Sequence, residues 1–294
     1  MKTKRMIRVC TLLTAILMVL SMAVSCDEKG GTSEPEWITP ARGTKEETEP
    51  ETEPETEPET EPEPLKLRFA SYNIKHGADA NFDMTKIAKN ILDQKIDIIG
   101  FQEVDYKANR SNKIDTMKLL SEATGYKYYA FFKAINIAGG EYGCGILSKY
   151  PILDTERIML ETLPTLEQRV LGRAAIDVEG VTVNFFVTHL SYESPVVRKT
   201  QFTQINTVLS KYDNFVLTGD FNTDIFAEYS VIANSDMVNN AKNNKITFPG
   251  NNNSIDNIVY SKETWKFSNP YTITNSYSDH YMLFSVGTYL KERP

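Results

Sequence analysis

The chain has 294 residues, 41% of them hydrophobic, and a formal net charge of −7. That charge is unevenly placed: residues 1–26 carry four basic residues and no acid, residues 27–64 carry three basic and fourteen acidic, and residues 65–294 carry 25 of each sign. A neutral 230-residue region is enough for one sizeable core, and it excludes a strongly basic nucleic-acid binder. The three cysteines, Cys10, Cys26 and Cys144, are too few and too scattered for a disulfide framework. Cys144 reads as a small buried apolar side chain.

Met1–Cys26 opens on Lys2, Lys4, Arg5 and Arg8, continues as an apolar run from Thr11 to Leu20, and ends in Ser21, Ala23, Ser25 and Cys26. This is the layout of a secretory signal peptide. Ala23-Val24-Ser25-Cys26 resembles a lipoprotein cleavage box, with Ala23 standing where Leu is the usual residue. Cys26 is therefore expected to be lipidated and to anchor the chain to a membrane outside the cytoplasm. Ordinary secretion and an uncleaved anchor are the alternatives. Residues 27–64 repeat Thr-Glu-Pro-Glu four times from Thr48. Such a segment has no apolar face to bury and reads as a disordered linker. Its regular prolines and repelling glutamates favour an extended chain, so the sixteen repeat residues reach about 50 Å.

The folded region is read as residues 65–294. Strands are expected at 65–73, 96–102, 127–132, 142–148, 152–159, 173–178, 181–189, 215–218, 254–260, 265–273 and 281–286. Helical spacing of apolar residues marks 82–94, 114–124 and 194–211. Residues 239–253, rich in Asn, read as a surface loop, and Lys133–Ala138 as a weakly apolar one. Many strands with a few interspersed helices give an α/β or α+β fold with two sheets.

The chemistry lies at strand ends. Asn73 follows LKLRFASY, Glu103 follows IDIIGFQ, His189 follows VTVNFFVT, Asp220 and Asn222 follow FVLTG, Asp256 sits in SIDNIVY, and Asp279-His280 precede YMLFSV. Each alone has a bland account, as a turn former, a solvated acid or a structural His. Their recurrence carries the argument, because all three histidines (His76, His189, His280) sit at such junctions. Mg²⁺ prefers a few carboxylate or amide oxygens and keeps several waters. Glu103, Asn73 and Asp279 can supply that shell. His280 can take a proton from water if Asp256 holds its tautomer. Asp220 and Asn222 can orient the water and a phosphate oxygen, and His189 can donate to the phosphoryl oxygens.

Taken in order, Ser71-Tyr72-Asn73-Ile74, Gln102-Glu103-Val104, Tyr142-Gly143, Thr188-His189-Leu190, Gly219-Asp220-Phe221-Asn222, Ile255-Asp256 and Ser278-Asp279-His280 resemble the motifs of the endonuclease/exonuclease/phosphatase superfamily over about residues 67–287. The resemblance implies a DNase I-like four-layer α/β sandwich, two packed mixed β-sheets flanked by helices. It implies Mg²⁺ as the ion, with Mn²⁺ as a substitute, and a phosphate ester as the substrate. It assigns Glu103, Asn73 and Asp279 to the metal, Asp220 to water or a second metal, and Asp256–His280 to acid–base work. It gives Tyr142 a phosphate contact and leaves Arg169 and Arg173 as alternatives for a substrate arginine. The opening SYNIKHG, Arg110-Ser111 and Gly139–Gly143 are similar to a secreted bacterial subgroup, which often has Asn where Cys144 stands here. The expected activity is a tethered, monomeric, nuclease-type phosphodiesterase. A lipid phosphodiesterase or small-molecule phosphatase is the alternative, and a non-enzymatic binding domain the third reading.

Overall fold

The computed structural model describes residues 63–275 and 277–293. The signal peptide, Cys26, almost all of the acidic linker, and Ser276 lie outside these residues. Among the described residues no helix is long and apolar enough to cross a membrane.

Among the described residues, thirteen strands and three α-helices follow in the order β1 (Lys66–Asn73), α1 (Met84–Asp93), β2 (Ile98–Tyr106), α2 (Thr116–Thr124), β3 (Tyr128–Ile137), β4 (Gly140–Ser148), β5 (Ile152–Met159), β6 (Val170–Val178), β7 (Val181–His189), α3 (Pro195–Leu209), β8 (Phe215–Asp220), β9 (Ser235–Met237), β10 (Asp256–Ser261), β11 (Trp265–Phe267), β12 (Tyr271–Ile273) and β13 (Met282–Tyr289). One sheet has the order β11-β13-β1-β2-β4-β3, with β12 also on β13, and the other the order β5-β6-β7-β8-β10-β9. The β1–β2 and β7–β8 pairs are parallel and the rest antiparallel, so both sheets are mixed.

Side-chain alternation explains the layers. Phe69, Ile98, Ile146 and Leu283 meet Ala174, Phe185, Val187, Val216 and Ile258 in the core between the sheets. Their neighbours Ala70, Ile99 and Leu147 turn the other way, onto Ile87 and Ile91 of α1 and Met117 and Leu120 of α2. Phe186, Leu217 and Val259 likewise turn onto Phe202, Ile205 and Leu209 of α3. Strands buried on both faces read as continuous apolar runs, which is why Ile98–Phe101 and Phe215–Leu217 show no polar alternation. The result is the expected four-layer sandwich. Between the sheets, Gly100 leaves no room for a side chain: an added Cβ would meet Thr218 Oγ1 and Val187.

Helix starts obey local capping. Asp83, Asp115 and Ser194 each accept a first-turn backbone N–H, and Gly125 ends α2 in the left-handed region.

Four expectations are corrected. Lys133–Ala138 is not a loop, because β3 runs to Ile137 and only residues 138–139 turn into β4. The strand expected at 265–273 is broken into β11 and β12 around Pro270, which has no N–H to donate, and both halves pair with β13. β6 starts at Val170, three residues early. The Asn-rich 239–253 segment is not wholly a surface loop: Asn239 and Thr247 are fully buried, with Asn239 and Asn257 bonded reciprocally.

Candidate active site

Strand register gathers the predicted residues. Asp220, the last residue of β8, stands opposite His189 on β7 and opposite Asp256 on β10. Asn73 ends β1 beside Gln102 of its parallel neighbour β2. Asp279 and His280 lead into β13, which pairs with β1. Residues more than 200 positions apart thus meet at one edge of the two sheets.

Glu103 arrives by a different device. One extra residue in β2 shifts its register against β4 between Phe101 and Val104, and Glu103 takes φ 56°. A non-glycine residue in that region is uncommon, and a bulge of this kind re-aims a side chain. Glu103 lines a cleft of about 570 Å³ together with Tyr142, His189, Asp220, Asn222, Asp279 and His280.

The centre is a buried ionic cluster. His280 Nδ1 lies 2.8 Å from Asp256 Oδ2, and its Nε2 lies 3.6 Å from Asp220 Oδ2. His189 Nε2 is 3.5 Å from the same Asp220 oxygen, and Tyr142 Oη is 3.5 Å from His189 Nδ1. Asp220, Asp256 and His280 offer ligand atoms within 4.8 Å of one another. Asn222 adopts φ 52° and donates its backbone N–H to Asp220 Oδ1 at 3.0 Å, while Nδ2 donates to the Leu190 carbonyl. Asn73 is fully buried; its Nδ2 donates to Glu103 Oε1 and Asp220 Oδ2, both at 3.0 Å, and its Oδ1 accepts from Lys75 N. Expected as a metal ligand, Asn73 instead presents nitrogen to the acids and brackets two carboxylates.

Electrostatics follow from burial. Burial and then the Asp256 charge raise the Asp220 carboxyl to about 7, against the opposing pull of His280. Burial opposes a charged His280, but Asp256 and then Asp220 overturn this and raise it to about 10. His189 is pushed well below the usual imidazole range by burial, then by Arg169 and His280, and is neutral. Burial likewise holds Tyr142 protonated. Cys144 is buried, and its thiol is pushed up to about 12, so it is an inert core group.

A raised imidazole contributes stability that is complete below pH 6.5 and is lost as the pH rises through 10. The metal-free chain is therefore expected to exceed His280→Ala in stability most at pH 6. Its advantage shrinks towards pH 10, by at most about 1.4 kcal/mol per pH unit. Urea titrations of both proteins at pH 6 and pH 9.5 measure this difference.

Donor chemistry fits a hard divalent ion. Glu103, Asp220 and Asp279 present carboxylate oxygens around one cleft, the few-acid shell that Mg²⁺ takes alongside water. The Asp256 oxygen and His280 Nδ1 are committed to each other, so that pair suits proton transfer better than ligation.

Other cleft residues were not singled out by sequence. Glu167, Tyr192, Phe248, Asn251 and Asn253 line it; they come from irregular segments, where spacing carries no signal. Arg110 lies over the Tyr142 ring at 5.2 Å and is held by two bonds to Asp105. Arg169 lines the cleft, whereas Arg173 is bonded to Asn184 and Asp154 away from it. His76 is not among the cleft-lining residues, and its ring lies tilted against Phe82, with centroids 6.5 Å apart.

A buried acid–histidine pair and a set of carboxylates thus stand together at one edge of the two-sheet sandwich. Residues 70–280 match the Endonuclease/Exonuclease/phosphatase family, and the chain belongs to it. It is a phosphoesterase, and the non-enzymatic reading falls away. No curated protein matches the chain. Similar solved structures include the human Nocturnin catalytic domain with bound sulfate anion (20% identity, 77% of this chain and 94% of that one, TM-score 0.60). Another is the Bacteroides thetaiotaomicron mannosyl-6-phosphatase Bt3783 (18%, 74% and 98%, 0.57). A third is D. rerio TDP2 complexed with single strand DNA product (17%, 76% and 98%, 0.57).

Proposed function

We propose that the chain hydrolyses compact phosphate esters by Asp–His assisted attack of water, with Mg²⁺ held by Glu103, Asp279 and Asp220. The observation that carries this reading is the 2.8 Å bond between His280 Nδ1 and Asp256 Oδ2, with Nε2 left towards Asp220 and the cleft. Asp256 accepts the Nδ1 proton and fixes the tautomer, so Nε2 is the atom that takes a proton from water. Asp220 orients that water, and the Asn222 backbone N–H holds Asp220 in place. His189 and Tyr142, both neutral, donate to phosphoryl oxygens as charge develops. An ion held by these carboxylates would supply positive charge to the ester and would offset the carboxylate field around His280.

The cleft walls favour a compact ester. Glu103, Glu167, Asp220 and Asp279 line it against Arg110 and Arg169. Each guanidinium already faces a carboxylate: Arg110 on Asp105, and Arg169 on Glu167 at 2.9 Å. A polyanionic strand draws its affinity from several uncommitted cations. The nuclease-type phosphodiesterase is the second reading, favoured by the likeness to a structure that holds a single-stranded DNA product. The Ala23-Val24-Ser25-Cys26 box and the repeated Thr-Glu-Pro-Glu stretch support a domain acylated at Cys26 and tethered outside the cytoplasm.

The test is hydrolysis of a hexose phosphate, a single-stranded oligonucleotide and sphingomyelin, each with Mg²⁺ and with chelator. The expected result is Mg²⁺-dependent release of phosphate from the hexose phosphate. Cleavage of the oligonucleotide alone establishes the second reading, and of sphingomyelin alone the lipid one. Hydrolysis unaffected by chelator contradicts the metal assignment.

A further inference from the structure

The Asp256–His280 pair spans the two sheets. Asp256 opens β10 in one sheet, and His280 precedes β13 in the other. Packing between sheets is non-directional, so it does not by itself fix a hydrogen bond that crosses from one to the other. Thr247, fully buried in the Asn-rich segment, touches both halves. Its Oγ1 accepts from the Asp256 backbone N–H at 3.0 Å. Its carbonyl oxygen accepts from Tyr281 N, next to His280, at 2.7 Å. Its own N–H donates to the Asn253 carbonyl at 3.0 Å, closing the segment on itself. The adjoining Phe248 lays its ring against the His280 imidazole, with centroids 4.9 Å apart. Asn239 anchors the same segment from behind, donating to the carbonyls of Lys245 and Asp256.

We propose that Thr247 is the positioning residue of the Asp256–His280 pair: one side chain and one carbonyl lock the two sheet edges at the separation the proton transfer needs. Phe248 fixes the plane of the imidazole in the same act. The proposal rests on the reading of that pair as the acid–base group. Thr247 touches no substrate and acts only through the two residues it holds.

Thr247→Val keeps the shape and removes the acceptor, and Thr247→Ser keeps the acceptor. In the full chain Thr247→Val is expected to lower kcat about 10- to 100-fold with KM changed less than about twofold, since small misplacements of a reacting group cost this much. Thr247→Ser is expected to stay within about threefold of the parent, by the same reasoning. The low-field Nδ1–H proton resonance of His280, read by NMR without turnover, should move or vanish in Thr247→Val and persist in Thr247→Ser. An unchanged kcat and resonance in Thr247→Val overturn the proposal, as does a Thr247→Ser variant that loses as much as Thr247→Val. If Thr247→Val does not fold, Thr247→Ser decides: a kcat and resonance matching the parent support the proposal, and loss of either overturns it. A parent chain that hydrolyses no ester defeats the functional reading, while the resonance still judges the positioning of the pair.

Discussion

Replacing His280 by Ala is expected to lower the hydrolysis of phosphate esters by about 10²- to 10⁴-fold, the range a positioned general base contributes. The residue is 5% exposed, and its two ring nitrogens have separate tasks. Nδ1 is committed to Asp256, and Nε2 faces Asp220 and the cleft. The loss should fall on kcat, because the interaction is made with the proton in flight and not with the resting ester. Asp256→Asn should lose activity for the same reason, as the amide no longer dictates which nitrogen carries the proton. The double variant should lose little more than His280→Ala, since residues acting as a unit are not additive. Steady-state kinetics of the three variants, with circular dichroism as a check on the fold, measure this. A His280→Ala enzyme within threefold of the parent contradicts the assignment.

Asp220→Asn is expected to cost about 10²- to 10³-fold in kcat, comparable to losing one preorganised polar group at a reaction centre, while leaving the fold intact. Asp220 receives Asn73 Nδ2 and the Asn222 N–H and lies near both His189 and His280. Its burial also disfavours its charged form. Its carboxyl is raised to about 7, so ionising it works against folding above the ordinary carboxylate range, and that cost is complete above pH 7. Removing the charge should therefore leave the metal-free protein at pH 8 no less stable than the parent. Lost activity with retained or increased melting temperature is the signature of a group kept for chemistry at the expense of stability. A variant that loses both together points instead to a structural role.

Much of this was readable in the sequence. The strands buried on both faces announced themselves as nearly unbroken apolar runs, and the helices by their apolar spacing. The residue types at strand ends named the chemistry, and all of the singled-out residues but His76 meet at one sheet edge. What sequence did not show was how they meet. The bulge that turns Glu103 into the cleft is an irregularity that alternation does not encode. The orientation of Asn73, nitrogen towards the acids, depends on the Lys75 N–H that claims its oxygen. The Asn-rich stretch before Asp256 looked solvated by its polar composition, yet its polar side chains find partners within the protein: Asn239 donates to the Lys245 and Asp256 carbonyls, and Thr247 accepts from the Asp256 N–H. Trp265–Ile273 looked like one strand because apolar content hid the interruption at Pro270.

The central claim is that one carboxylate-lined cleft performs metal-assisted hydrolysis through His280. Its most direct test is the rate of phosphate release from a hexose phosphate as Mg²⁺ is titrated into the chelator-treated chain, for the parent, His280→Ala and Glu103→Gln. The account predicts a saturable rise in the parent. It predicts a right-shifted rise in Glu103→Gln, because a ligand is weakened, and a rise of unchanged midpoint but far lower plateau in His280→Ala. Equal Mg²⁺ midpoints in the parent and Glu103→Gln, or a full plateau in His280→Ala, would contradict it.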